Sequence, residues 1–218
     1  MAEQHLGTHP PKTRLESLSD LVFGLALSIG ALSLIGQKLA SSDQLLLALA
    51  LYGFSYLILI QVWSEYSSTM TMVSVETREV RILNMVLLFL VSAEPFLFNL
   101  LTTQVVPIAV GELASILYAL DLGAMHAILA LFSHSVAIEK KVSSPTEAQL
   151  YSSRTESRAL VAAAFAMSAL PVFWEWTIYL GEVAIHARFV LWVLAPVIAI
   201  GGMALIDQCR RLISRLQH

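Results

Sequence analysis

Six apolar runs divide the chain, at residues 18–39, 44–66, 82–102, 110–137, 159–180 and 187–206. Each reaches the roughly 20 residues that a helix needs to cross a bilayer, and the segments between them are polar. The longest connection, "EKKVSSPTEAQLYSSRTESR" at 139–158, is rich in Ser and Thr and reads as a polar loop. None of the connections is long enough to fold by itself. The pattern predicts an all-α membrane protein: one domain over 1–218, six transmembrane helices, a polar tail at 1–13 and a cytoplasmic loop at about 139–158.

The first run has an unusual start. Residues 21–36 supply only sixteen apolar or small positions, so the helix must begin near Ser17 or Leu18 to reach spanning length. Ser19 and Asp20 are thereby drawn into its first turn. Two readings of that polar start stand side by side. Ser and Asp satisfy the free N–H groups of a helix start and suit the positive end of its dipole. Alternatively, Asp20 meets neighbouring helices, where a carboxylate within a membrane needs a partner. Projected at 100° per residue, Leu21, Leu25, Ser28, Ile29, Leu32 and Gly36 fall on one stripe. Asp20 lies more than a third of a turn from the centre of that stripe.

Composition supports the membrane assignment: 57% of residues are hydrophobic and 13% charged, against about 25% charged in soluble domains. A net charge of −3 argues against a nucleic-acid partner. The single cysteine, Cys209, excludes an intrachain disulfide and a cysteine-based metal cluster. With the N-terminus placed inside, eleven of the 13 Lys and Arg residues fall on the inner side, and only Lys38 and Arg188 fall on the outer. The positive-inside rule then puts both termini of this multi-pass protein in the cytoplasm.

Carboxylates within the runs are the remaining candidates for chemistry. Glu65, at the inner end of the second run, reads as an interfacial side chain that snorkels toward water. Glu94 in "VSAEPFLF", Asp121 in "LYALDL" and Glu175 in "FWEWTIY" read as helix–helix hydrogen-bonding groups, with proton coupling the competing role. The motifs His-Glu-x-x-His, Gly-x-Ser-x-Gly and the Walker loop are all missing from the sequence. The Thr-Val-Gly-Tyr-Gly carbonyl filter of ordinary potassium channels is missing too. No enzyme activity and no cofactor are expected.

At Arg14, Ser19 and Asp20 the chain resembles prokaryotic members of the transmembrane protein 175 family, the endolysosomal potassium channels. That family carries Arg-x-x-x-Phe-Ser-Asp at the start of its first helix, and Leu18 stands here in place of Phe. "QVW" resembles the end of the family's second helix and places Trp63. Ser64, Glu65 and Tyr66 occupy the positions where histidines commonly follow. "RILNMVLLFLVSAEPF", with Asn84, Pro95 and Phe96, resembles the third helix. "LYALDL" resembles the fourth, with Asp121 in place of Asn. The likeness covers about the first two thirds of the chain, and the last two runs share only hydropathy.

The resemblance implies a six-helix subunit that assembles as a homotetramer, with its first helix around a shared axis. It implies passive conduction of potassium, and of other monovalent cations, through apolar constrictions. By position, Leu25, Ile29 and Leu32 would form that hydrophobic gate and Ser28 would set a hydroxyl between them. Arg14, Ser19, Asp20, Trp63 and Asn84 would form a structural polar network that holds the helix against its neighbours. The expected partners are the permeant potassium ion, the lipid bilayer and further copies of the chain. A proton-coupled or small-solute transporter using Glu94, Asp121 and Glu175 is the alternative, although transporters commonly show internal repeats and none is evident here.

Overall fold

The structure, a computed structural model, describes residues 14–35, 42–73, 77–102, 107–180 and 183–195. Four helices arise from the first four apolar runs: α1 (Arg14–Ile35), α2 (Ser42–Met70), α3 (Arg78–Thr102) and α4 (Ile108–Ser143). All four are long and apolar enough to cross a membrane. The start of α3 shows why the boundary falls where it does. Thr77 Oγ1 accepts a hydrogen bond from the Val80 N–H at 3.3 Å, which satisfies one of the free donors of a helix N-terminus.

α4 is the central element. It packs along α5 (Pro145–Ser168) and α3 and touches α2, while α1 lies against α2 and α3. The core between them is made of side chains such as Leu59 and Val62 of α2, Leu87 and Val91 of α3, and Tyr118, Leu122, Met125 and Leu129 of α4. Where α4 crosses α5, the backbones approach closely at Gly123. A Cβ there would stand 3.3 Å from the Ala162 carbonyl oxygen and 3.4 Å from Phe165 Cβ. Gly123→Val is therefore expected to force the two helices apart at a cost of about 1–3 kcal/mol. Thermal unfolding in detergent would show this as a lowered midpoint. Gly123→Ala needs only a shift of a few tenths of an ångström and gains helix propensity, so it should stay close to the parent. Equal stability of the valine variant would mean that the crossing is looser than drawn.

Two expectations about the second half of the chain are corrected. The polar stretch at 139–158 is helical rather than a loop. α4 runs on to Ser143 and α5 begins at Pro145, with Ser144 alone between them. Lys140 and Lys141 sit in the last turn of α4, where cations suit the helix dipole. Proline is favoured in the first turn of α5 because its missing N–H would be unused there. The two helices thus continue as a polar hairpin.

The fifth run is also not one continuous helix. α5 ends at Ser168, a turn follows, and then a short helix, α6 (Val172–Glu175), leads into an antiparallel pair, β1 (Thr177–Leu180) and β2 (Val183–His186). Register runs from Thr177 opposite His186 to Leu180 opposite Val183. Pro171 accounts for the break, because it lacks the N–H that would continue the ladder and disfavours helical backbone at Leu170. Of the sixth run, residues 187–195 are described and are helical; the remainder to 206 lies outside the described residues.

Arg188 closes this break. Sequence counting placed it in an outer loop, yet it is wholly buried. Its Nε donates to the Ser168 carbonyl at 2.7 Å, and its Nη2 to the Ala169 and Leu170 carbonyls, each at 3.1 Å. Nη1 reaches Ser115 Oγ on α4. The Ser168 and Ala169 carbonyls are ones that a helix end leaves without partners, while the Leu170 carbonyl also accepts from the Phe173 N–H at 3.2 Å. Trp174 stacks on His186 at 4.1 Å between ring centroids, and the Arg188 guanidinium lies over the Trp174 ring at 5.5 Å.

Candidate functional site

α1 has two unlike faces. Phe23, Ala26 and Gly30 are buried against the bundle. On the other side Leu21, Leu25, Ile29 and Leu32 are 59%, 53%, 51% and 62% exposed. Ser28 is exposed between them, and its Oγ donates to the Gly24 carbonyl at 2.8 Å. A hydroxyl so engaged still offers oxygen lone pairs to a cation. Leu27 is partly buried and packs on the core. In a single subunit the stripe is thus an uncovered row of branched side chains with one oxygen. Gly36, the last member of the projected stripe, lies outside the described residues, as does the side chain of Arg14.

The polar start of α1 is tied to α2 and α3. Ser19 is fully buried; its Oγ donates to the Leu15 carbonyl at 2.9 Å. That leaves its lone pairs for Asn84 Nδ2 at 3.3 Å and for the Tyr66 hydroxyl at 2.8 Å. Asp20 Oδ1 accepts from Trp63 Nε1 at 3.1 Å. The geometry joins Ser19 with Asn84 and Asp20 with Trp63. Tyr66, in the segment where the resemblance fails, stands at the centre of this contact, with its ring 5.9 Å from Phe23 and 6.3 Å from Phe132. No signal in the sequence marked it out beyond its departure from the family pattern.

Glu94 is fully buried at the meeting of α2, α3 and α4. Its Oε1 accepts from Ser55 Oγ at 2.7 Å and from the Tyr118 hydroxyl at 3.1 Å. One carboxylate oxygen thereby joins three helices. Glu94→Gln keeps an acceptor at that place and should leave thermal stability nearly unchanged. Glu94→Leu strands two buried hydroxyls and should cost about 1–3 kcal/mol for each, measured as a loss of unfolding midpoint in detergent. If the leucine variant matched the glutamine variant, the three-way junction would carry no stability. Asp121 is also buried, with Oδ2 lacking a hydrogen-bond partner.

Glu65 is half-buried and ion-paired. Its Oε2 receives Arg158 Nε of α5 at 2.9 Å. Arg158 is itself buried and also donates to Thr69 Oγ1 at 3.2 Å, to the Leu129 carbonyl at 2.9 Å and to Ser133 Oγ. The carboxylate is held because a partner comes to it from 93 residues away in sequence. Glu175 is exposed on α6 and remote in sequence from these groups. Among the described residues no group of three or more His, Cys, Asp or Glu side chains could hold a metal ion.

Comparison with known proteins fits this geometry. Residues 14–95 match the family described as the endosomal/lysosomal potassium channel TMEM175. The segment holds all of α1 and α2 and most of α3, including Ser19, Asp20, Trp63 and Asn84. No curated protein matches the chain. The fold is similar to that of a variant of the potassium channel MtTMEM175, crystallised with a nanobody–MBP fusion protein. The TM-score is 0.61 at 14% identity, over 92% of this chain and 94% of that one. In the sequence of its first three helices the chain is thus similar to the TMEM175 potassium channel family, and in its fold to a potassium channel of that name.

Proposed function

We propose that this chain is one of four identical subunits of a potassium-permeable cation channel, with α1 of each subunit around a common axis. The observation that carries the reading is the two-faced α1. Its stripe of Leu25, Ser28, Ile29 and Leu32 is uncovered, while the opposite face and the polar start are engaged by α2 and α3. That helix lies in the segment that matches a family of potassium channels. Rings of branched side chains gate by excluding water. Potassium holds its hydration shell less tightly than sodium, so a narrow apolar neck favours it without binding it strongly.

The chain is read as one domain in the cell membrane, with six membrane segments and both termini in the cytoplasm. The charge bias supports that orientation. With the buried Arg158 and Arg188 set aside, Lys38 is the only basic residue on the outer side. No cofactor is invoked. The alternative, a proton-coupled transporter, draws on the buried oxygens of Glu94 and Asp121 that lack partners. Reconstituted protein decides between them. Current with potassium on both sides, from a fourfold particle, supports the channel. A monomer that moves solute only with a proton gradient rejects it.

A further inference from the structure

The last turns of α2 hold two different helices on two sides. Trp63 and Tyr66 engage the start of α1 through Asp20 at 3.1 Å and Ser19 at 2.8 Å. Glu65, Ser68 and Thr69, within the same seven residues, engage α5. Arg158 bonds Glu65 at 2.9 Å and Thr69 at 3.2 Å. Arg154 Nη1 donates to Ser68 Oγ at 3.3 Å, and the Tyr151 hydroxyl to the Ser68 carbonyl at 3.4 Å. Arg158 also holds α4 through the Leu129 carbonyl and Ser133. A guanidinium can do this because its five donors form a rigid planar fork, which a lysine ammonium does not reproduce.

The segment so gripped is the inner part of the polar α4–α5 hairpin, whose outer turns, such as Lys141, Val142 and Gln149, are exposed. A helical turn held on both sides passes a displacement from one side to the other, because packed elements shift as bodies rather than deform smoothly. The geometry points to Arg158 as a positioning residue for α1. Through Glu65 it couples the α4–α5 hairpin to the turn of α2 that sets the angle of the first helix. This rests on the reading of α1 as the pore helix. It assigns the hairpin control over how often the neck is open, not over what passes through it.

The test combines recording with a distance measurement. In reconstituted full-length protein, Glu65→Gln and Arg158→Lys should change open probability by about two- to thirtyfold. Unitary conductance and the potassium-to-sodium permeability ratio should stay at the parent values. The exchanged pair Glu65→Arg with Arg158→Glu should bring open probability part of the way back. Open probability unchanged in both single variants, or conductance and selectivity shifting together with it, overturns the proposal. The distance measurement stands apart from conduction. Spin labels on Ser17→Cys and Ser152→Cys, with Cys209→Ser, in subunits diluted with excess unlabelled subunits, should show one narrow intrasubunit distance in the parent and a broader distribution in Arg158→Lys. Glu65→Gln should broaden it likewise. Distributions as narrow as the parent's in both variants reject the coupling whether or not current flows. A parent protein that carries no current, yet broadens in the variants, rejects the channel reading and keeps the coupling. Arg154→Gln, which loses the bond to Ser68 and the contact with the Tyr151 ring but leaves the Glu65–Arg158 pair, should broaden the distances less and remains available if the stronger variants do not fold.

Discussion

Leu32→Ala and Leu25→Ala are expected to raise potassium conductance about three- to tenfold, a barrier lowered by about 1 kcal/mol, and to reduce the preference for potassium over sodium. Successive members of the stripe are four and three residues apart. At about 1.5 Å rise per residue the rings of Leu25, Ile29 and Leu32 lie roughly 6 and 4.5 Å from one another, close enough to make one narrow throat. Shortening either leucine in four subunits widens the throat and admits water, so a cation crosses with more of its hydration shell. Leu25→Asn should keep the neck wet and raise resting flux without widening it much. Leu27→Ala is the control, because Leu27 packs on the core rather than standing on the uncovered side. It should cost stability and leave the permeability ratio alone. Recordings of the four variants in one bilayer system decide the matter, since equal effects on and off the stripe would remove α1 from the ion path.

Arg188→Ala is expected to give the largest loss of stability, about 2–4 kcal/mol from stranded carbonyls at the end of α5. The guanidinium donates to three successive carbonyls and to Ser115, and it lies over Trp174. No water-exposed side chain takes its place, because the residue is fully buried. Arg188→Lys should fall between parent and alanine, since three donors from one point cannot span the same fork. Thermal unfolding in detergent measures the difference. Proteolysis should cut first near the hairpin of β1 and β2, whose position depends on the stack of Trp174 and His186. An alanine variant that melts with the parent would show that the α5 end is satisfied in another way.

Much of this protein is legible from local pattern. Helix-length apolar runs announced α1 to α4, because a backbone in lipid must satisfy its own hydrogen bonds and a helix does so within one segment. The stripe on α1 was legible for the same reason, since a fixed 100° step turns spacing into direction. Ser19, Asp20, Trp63 and Asn84 were legible as a set through the family likeness, and the structure shows which of them meet. The second half is less legible. By length and hydropathy the run at 159–180 reads as one helix, yet Pro171 interrupts it and an antiparallel pair, Thr177–Leu180 with Val183–His186, follows. The polar stretch 139–158 reads as a loop because Ser and Thr are common in loops, yet it is helical. Its helical state goes with tertiary contacts made by Tyr151, Arg154 and Arg158 to α2 and α4.

What the sequence by itself determined is where the chain is apolar, where its helices begin and which residues share one helix face. All of these depend on neighbours three or four positions apart. Only the tertiary structure decided which polar groups are partners. Glu65 reads as an interfacial carboxylate until Arg158 arrives from 93 residues away, and Arg188 reads as a loop cation until it meets the end of α5. A buried charge is stable only beside its partner, and that partner is selected by how the helices pack, a sum over many apolar contacts that no short stretch of sequence contains.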